Sequence, residues 1–246
     1  MYRKFICEII DKEVEATIFE SMSDQGLGPK LYFRCEDYRI ESFFEGRSLS
    51  IWEVRNPTIM QLVANAIFDF NFNQDAIDKV RNIKPINIEK LGVDSSLEWA
   101  KQVKERLPLI QSKLEGRTDI TAQFILPIIE GIKKEFLFDG YDEFFRLLVP
   151  RHGNIVLGHC DSQENNILMS LKDNAKLILI DYEYGDWNPM AYDIANFFNE
   201  FTCDNVAPHG PFDSGIQFYE NNFPTRPERE IFAKEYLTRF FKRVEN

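Results

Sequence analysis

Two stretches decide the fold: Gly158-His159-Cys160-Asp161-Ser162-Gln163-Glu164-Asn165-Asn166, and after it Ile180-Asp181-Tyr182-Glu183-Tyr184. Each follows a compact apolar run, Ile155-Val156-Leu157 before the first and Leu177-Ile178-Leu179-Ile180 at the start of the second. A short apolar run bounded by polar residues predicts a buried strand. Loops held by such a rigid scaffold are where catalytic side chains concentrate. Phosphoryl transfer to a hydroxyl needs a carboxylate to take the hydroxyl proton, and oxygen ligands that hold Mg²⁺ against nucleotide phosphates. The HxDxxxxN spacing offers Asp161 for the first task and the Asn166 amide oxygen for the second. Asp181, at the end of the next strand, is placed as the carboxylate that bridges metal and phosphates. Taken alone, HxDxxxxN arises readily by chance, and a buried His or Asp more often satisfies backbone groups. The ordered succession of strand, loop, strand and IDYEY is what argues for chemistry.

Outward from this centre, the pattern from Asp11 to Ser23 predicts a helix stopped by Gly26, Gly28 and Pro29. Leu31 to Arg34 and Arg39 to Phe44 predict a hairpin that Glu45-Gly46 breaks. Pro57 starts a helix whose apolar face is Ile59, Leu62, Val63, Ala66, Ile67 and Phe70. The middle, from about Ser95 to Leu147, reads as helical, with Pro127 expected at a kink or in a first turn. From Asp204 to Asn222 a polar loop is expected. After it, Thr225 and Glu228 form a capping box before an amphipathic run through Phe240.

Composition narrows the classes. The chain has 246 residues, 44% of them hydrophobic, enough for one large or two modest domains. Its 29 basic against 40 acidic residues give a formal charge of −11, which argues against nucleic acid or an anionic membrane as partner and suits a cationic substrate. Cys7, Cys35, Cys160 and Cys203 are scattered, so reduced thiols are expected. No stretch approaches the roughly 20 apolar residues of a membrane span, and no leader pattern opens the chain, so a cytoplasmic location is expected.

The runs HCDSQENNIL and LILIDYEYGDWNPMAYDIANFFNEF resemble the catalytic core of the choline/ethanolamine kinases. Upstream, Leu27 to Tyr32 and Ile40 to Arg47 resemble the helix-to-hairpin and hinge segments of that family. The likeness covers most of the chain and is weakest from about residue 72 to 150. It implies an α+β, protein-kinase-like fold, with a small, incomplete β-containing nucleotide lobe over 1–44 and a larger, mostly helical lobe over 45–246. It implies ATP as co-substrate, Mg²⁺ as cofactor and a small amino alcohol as acceptor.

Carried over by position, the resemblance makes Asp161 the catalytic base, also touching the substrate, and Asn166 and Asp181 the Mg²⁺ ligands. Glu15, Glu41, Phe44 and Gln163 fall in the nucleotide site, with Glu41 to Phe44 as the hinge behind the adenine. Tyr184 and Glu200 fall in the pocket for the cationic head group, where an aromatic face and a carboxylate suit an ammonium. Packing for Tyr184 and a solvated helix position for Glu200 are the plain alternatives. Asp193 is expected to cap its own helix and organise the loop.

The chain departs from the family at Cys160, where Asn is usual, and reads as short at both ends. A phosphate-covering loop and a basic strand would precede Glu15, so Glu15 is expected to lack its basic partner and the hairpin to show an open edge. Choline is favoured over ethanolamine because Gln163-Glu164 resembles the choline-kinase loop, although Asn199-Glu200-Phe201 looks more like the ethanolamine enzymes. A kinase for another small amino alcohol, and a non-catalytic pseudokinase-like binding protein, are the other readings. Self-association into a homodimer is left open.

Overall fold

The computed structural model describes residues 10–135, 140, 143, 147, 153–173, 175–205 and 216–245. By their contacts they divide into two compact units, one of Met1–Ile86 with Asn154–Asn246 and one of Asn87–Gly153.

The first unit opens with α1 (Lys12–Asp24), whose N-cap Asp11 accepts the Val14 N–H. The hairpin β1 (Leu31–Arg34) and β2 (Arg39–Glu41) follows, paired antiparallel. Here β2 is shorter than expected and stops before Phe44. Ser42 turns back to the loop after α1: its N–H donates to Lys30 O at 2.7 Å and its hydroxyl accepts the Lys30 N–H at 2.8 Å. After the turn at Phe44, β3 (Gly46–Ser48) joins a different sheet, in the order β3, β5 (Ile167–Ser170), β6 (Leu177–Leu179).

Helix α2 (Pro57–Asn71) starts on Asn56, whose side chain accepts from the N–H groups of Thr58 and Ile59, with Pro57 at its first turn. Proline fits there because its missing N–H would have had no partner. Then come α3 (Gln74–Ile83), β4 (Ile155–Gly158), β7 (Asp186–Pro189), α6 (Ala191–Glu200) and α7 (Arg226–Val244). Strands β4 and β7 pair antiparallel, Ile155 opposite Pro189 and Gly158 opposite Asp186. Thr225 and Glu228 close the expected capping box at the head of α7, the Thr225 N–H reaching Glu228 Oε2 at 2.7 Å.

Helix α2 packs on α7, and α1 on α3. Met60, Val63, Ile67, Leu157, Phe197, Phe232 and Tyr236 are almost wholly buried in this unit. Burying one such side chain stabilises by about 1.5–3 kcal/mol, so this layer is the platform under the strand ends. The segment expected as a loop from Asp204 to Asn222 is in part a ladder, β8 (Cys203–Asp204) pairing with β9 (Gln217–Phe218), because residues on both sides of 206–215 return to one another. The interior of that segment, 206–215, lies outside the described residues, as do 1–9 with Cys7. Cys35, Cys160 and Cys203 are free thiols, in line with expectation.

The second unit holds α4 (Ser95–Leu114) and α5 (Ile120–Glu135), which share a core of Leu107, Leu114, Ala122 and Ile129. Pro127 sits inside α5, well past the first turn, so the first-turn placement is not the one found. The end of the expected helical stretch, beyond Glu135, lies mostly outside the described residues. Among the described residues no helix is long and apolar enough to cross a membrane.

Candidate active site

Asp161 leaves β4 on a loop that the backbone enters under strain. Cys160 and Asp181 have φ of 69° and 67°, and among the described residues they are the non-glycine positions in the left-handed region. Such positions persist only where surrounding bonds over-determine them, and they cluster at functional sites. At Cys160 the holding group is Asp193, which is 1% exposed. Its Oδ1 accepts the Cys160 N–H at 2.8 Å and its Oδ2 the His159 N–H at 2.8 Å. Asn188 Nδ2 lies 3.0 Å from the Cys160 sulfur, and burial pushes that thiol's pKa well up, so it stays neutral.

Asp193 is thus corrected in one respect. It sits in the first turn of α6, whose N-cap is Met190, and it caps the loop before Asp161 rather than its own helix. A third donor, Asn71 Nδ2, reaches Asp193 Oδ2 at 2.7 Å and the Leu157 carbonyl at 3.0 Å. Asn71 Oδ1 in turn accepts the Tyr236 hydroxyl at 2.6 Å. A fully compensated polar chain therefore runs from α7 through α2 and α6 to the loop. Neither Asn71 nor Tyr236 was singled out from the sequence. The available signal was Asn71 itself, a polar residue on the stripe of Met60, Ala64 and Ile67 at helical spacing.

One oxygen of Asp161 is held and one is left. Its Oδ2 accepts from Asn166 Nδ2 at 2.8 Å and Gln163 Nε2 at 3.1 Å, so three of the sequence-predicted residues meet at one carboxylate. Asn166 Nδ2 also donates to the Asp161 carbonyl at 3.0 Å, which leaves the Asn166 side-chain oxygen as its ligand atom. The His159 ring bridges to the next strand, its Nε2 donating to Ile180 O at 2.9 Å, while the Ile180 N–H reaches Asn166 O at 3.0 Å. These bonds set Asp181 beside the loop. Its exposed carboxylate makes no hydrogen bond or ion pair among the described residues. After it, Tyr182 is buried with its hydroxyl on Leu179 O, and Gly28 is required because a Cβ there would sit 2.7 Å from that hydroxyl.

Glu200 ends α6 within the field of Asp161. Burial first, then the Asp161 charge, raises its pKa to about 7. Its Oε1 accepts from Asn196 Nδ2 and its Oε2 from Asn205 Nδ2. Tyr184 is about one-third exposed.

Of the other nucleotide-side residues, Glu15 and Glu41 meet at Arg39. Arg39 bonds Glu15 through Nη1 and Glu41 through Nε, the latter at 2.8 Å, and its guanidinium lies 3.9 Å over the Phe19 ring. Glu15 therefore does have a basic partner, supplied by β2, contrary to expectation. Local pattern could not reveal it, because the pair joins α1 to a strand well downstream. Among the described residues no hydrogen bond or ion pair links this cluster to the catalytic loop. Phe44 instead lines an open cavity of about 470 Å³ with Ser23, Lys30, Ser42 and Lys172.

Mg²⁺ suits what is present. Among the described residues no group of three or more His, Cys, Asp or Glu is set to hold an ion. Mg²⁺ asks less of a protein, one or two carboxylates with water and substrate phosphates completing its shell. The unpaired Asp181 carboxylate and the Asn166 amide oxygen fit that need.

A model of the choline/ethanolamine kinase family matches residues 1–244. The chain is 32% identical over 233 residues to probable choline kinase 2 of Arabidopsis thaliana, covering 93% of this chain and 56% of the relative. It is 26% identical over 227 residues to the human choline/ethanolamine kinase, covering 91% of this chain and 51% of the relative. The chain thus spans about half the length of the curated relatives it matches. Among solved structures, a choline kinase from Cryptosporidium parvum superposes with a TM-score of 0.64 at 24% identity, over 94% of this chain and 63% of that one. An ethanolamine kinase from Plasmodium vivax superposes with a TM-score of 0.58 at 23% identity, over 94% and 59%. These superpositions show the protein-kinase-like α+β fold.

Proposed function

From the premise that this chain belongs to the choline/ethanolamine kinase family, we propose that it transfers the γ-phosphoryl group of ATP to the hydroxyl of choline or ethanolamine. The observation that carries the proposal is Asp161, with Oδ2 clamped by Gln163 and Asn166 and Oδ1 left for a substrate. The acceptor hydroxyl donates to Asp161 Oδ1, which takes its proton as the oxygen attacks the γ-phosphorus. The bond from that phosphorus to the bridging oxygen breaks, and ADP leaves. Because such transfer is chiefly positioning and charge stabilisation, holding one carboxylate oxygen fixes the direction in which the other accepts. Asn166 and Asp181 would hold Mg²⁺, which offsets negative charge on the phosphates.

Glu200 and Tyr184 are assigned to the ammonium end of the acceptor, the first by charge and the second by its aromatic face. Glu15, Glu41, Phe44 and Gln163 are assigned to the nucleotide side, with the lobe boundary after Phe44. The cytoplasm is the proposed location. Choline is proposed ahead of ethanolamine on the likeness of Gln163-Glu164.

Transfer of labelled phosphate from ATP to choline, ethanolamine and a panel of amino alcohols tests the reading. Asp161→Asn is expected to lower turnover on the order of 10²- to 10⁴-fold with Mg-nucleotide affinity nearly unchanged. Wild-type turnover in that variant would remove Asp161 from its role. Mg-nucleotide binding without transfer to any of the alcohols would favour the pseudokinase-like reading.

A further inference from the structure

Both oxygens of Glu200 are tied, through amides, to the loop that carries Asp161. Asn196 Nδ2 donates to Glu200 Oε1 at 3.3 Å, while Asn196 Oδ1 accepts the Ser162 N–H at 2.6 Å. Asn205 Nδ2 donates to Glu200 Oε2 at 3.4 Å, while the Asn205 backbone N–H donates to Glu164 Oε1 at 3.1 Å. Ser162 and Glu164 are the loop residues on either side of Gln163, and both are buried, at 0% and 2% exposure. The two tethers thus start one residue and three residues after Asp161 and end on the same carboxylate.

The chemistry of the tethers is selective. An arginine or lysine in place of either amide would orient Glu200 more strongly but would neutralise the charge that attracts an ammonium. Neutral amide donors fix direction and leave the charge in place. Glu164 is a costly anchor: its Oε2 is buried without a partner among the described residues. A buried unsatisfied polar atom in a native fold calls for a reason. Holding the Asn205 N–H with the other oxygen supplies one.

We propose that Asn196 and Asn205 are positioning residues that keep the Glu200 carboxylate in register with Asp161, so that one loop sets both ends of the amino alcohol. The inference rests on the reading of Glu200 as ammonium ligand. A short substrate gives little slack between nitrogen and hydroxyl, and a misplacement of about 1 Å can lower the rate on the order of 10²-fold. The register is therefore a determinant of which chain length between nitrogen and oxygen is accepted.

Calorimetric titration of the full chain with choline, and separately with Mg-ATP, tests this without requiring turnover. Asn205→Ala removes the side-chain donor and leaves the backbone N–H on Glu164. It is expected to weaken choline about 2- to 10-fold, the range for one hydrogen bond, with Mg-ATP unchanged. In a Glu200→Gln background the same substitution should bring no further loss, because the charge it positions is gone. Asn196→Ala, which removes the Glu200 donor without adding a charge beside the ammonium, serves as a second variant and is expected to weaken choline likewise. Unchanged choline affinity in Asn205→Ala and Asn196→Ala, beside a clear loss in Glu200→Gln, would overturn the inference and leave the Glu200 reading standing. Equal losses for choline and Mg-ATP would also overturn it, since they would mark general loosening. An unaffected Glu200→Gln would overturn the Glu200 reading and this inference with it.

Discussion

The catalytic loop and the β1–β2 hairpin both present carboxylates to the chemistry proposed here, yet different physics holds them. Around Asp161 the holders are mostly buried and mostly neutral: backbone N–H groups, the enclosed amides of Asn71 and Asn166, the half-buried amide of Gln163, and one enclosed carboxylate, Asp193. Around Glu15 and Glu41 the holder is one guanidinium, Arg39, with a side chain 34% exposed. The hairpin also shows Tyr32, Phe33 and Tyr38 to solvent, with Phe43 exposed just after it, and β1 and β2 pair only with each other among the described residues. Removing a member of a buried network strands its partners away from water, whereas an exposed ion pair hands its partners back to water. The loop is therefore expected to be stiff and unforgiving, the hairpin adaptable.

The largest effect should follow from Asp193→Ala. It strands the His159 and Cys160 N–H groups and one Asn71 donor, and it releases Cys160 from its left-handed conformation. Each buried donor left without a partner costs about 1–3 kcal/mol, so a loss on the order of 3–5 kcal/mol is expected. Chemical denaturation reads it directly. A midpoint within error of the parent would mean the loop is held by something other than Asp193, and the contrast with the hairpin would fail.

Next in size is Asp181→Ala. Loss of a direct charged ligand should weaken nucleotide binding in Mg²⁺ on the order of 100-fold, the upper range for disturbing a metal's surroundings, and change binding without Mg²⁺ little. Equal affinities for variant and parent in both conditions would remove Asp181 from the metal.

These expectations also mark what a linear reading can reach. The loop, the IDYEY segment and the Thr225–Glu228 capping box are local patterns, in which residue type and spacing carry the chemistry, and all were legible. Asp193 was legible as a loop organiser but not as the acceptor of the His159 and Cys160 N–H groups, which only the docking of α6 against β4 creates. The partnership of Tyr236 with Asn71, and of Arg39 with Glu15, joins residues that no periodicity connects. Polar side chains on otherwise apolar stripes, as at Asn71, are the trace such networks leave in a sequence.

A smaller effect with two opposed signs is expected at Glu200. Its pKa is raised to about 7 by burial and then by Asp161, with Glu164 adding repulsion and the Asn196 and Asn205 amides opposing it. The nearby Cys203 thiol, pushed up to about 11, stays neutral across this range. The folded state holds the Glu200 proton more tightly than the unfolded chain, so the stability this contributes is full below about 4.5 and is lost as pH rises through about 7. Choline binding runs the other way, because the carboxylate attracts the cation only when ionised and choline's own charge does not titrate. From pH 6 to 8 the free protein should lose thermal stability while choline affinity rises roughly 2- to 8-fold, since a group titrating at about 7 goes from mostly protonated to mostly ionised over that span. Isothermal titration at three pH values reads the rise, and a flat profile would remove Glu200 from the ammonium site.

The smallest effect is the one that tests the other half of the comparison. Arg39→Ala removes the cation shared by Glu15 and Glu41 and its contact with the Phe19 ring. Both carboxylates are partly exposed, Glu41 at 39%, and can turn to water. Exposed ion pairs are worth about 0–1 kcal/mol, and the cation over the ring adds about 0.5–1 kcal/mol at such a site. A stability loss on the order of 1 kcal/mol is therefore expected, shrinking in high salt as the ionic share is screened. Arg39→Lys should recover the charge but not the two-carboxylate fork, because a single ammonium cannot match the planar geometry. A loss as large as that of Asp193→Ala, and insensitive to salt, would mean that the Glu15–Arg39–Glu41 cluster is as enclosed in solution as the catalytic loop, which would erase the distinction between the two regions.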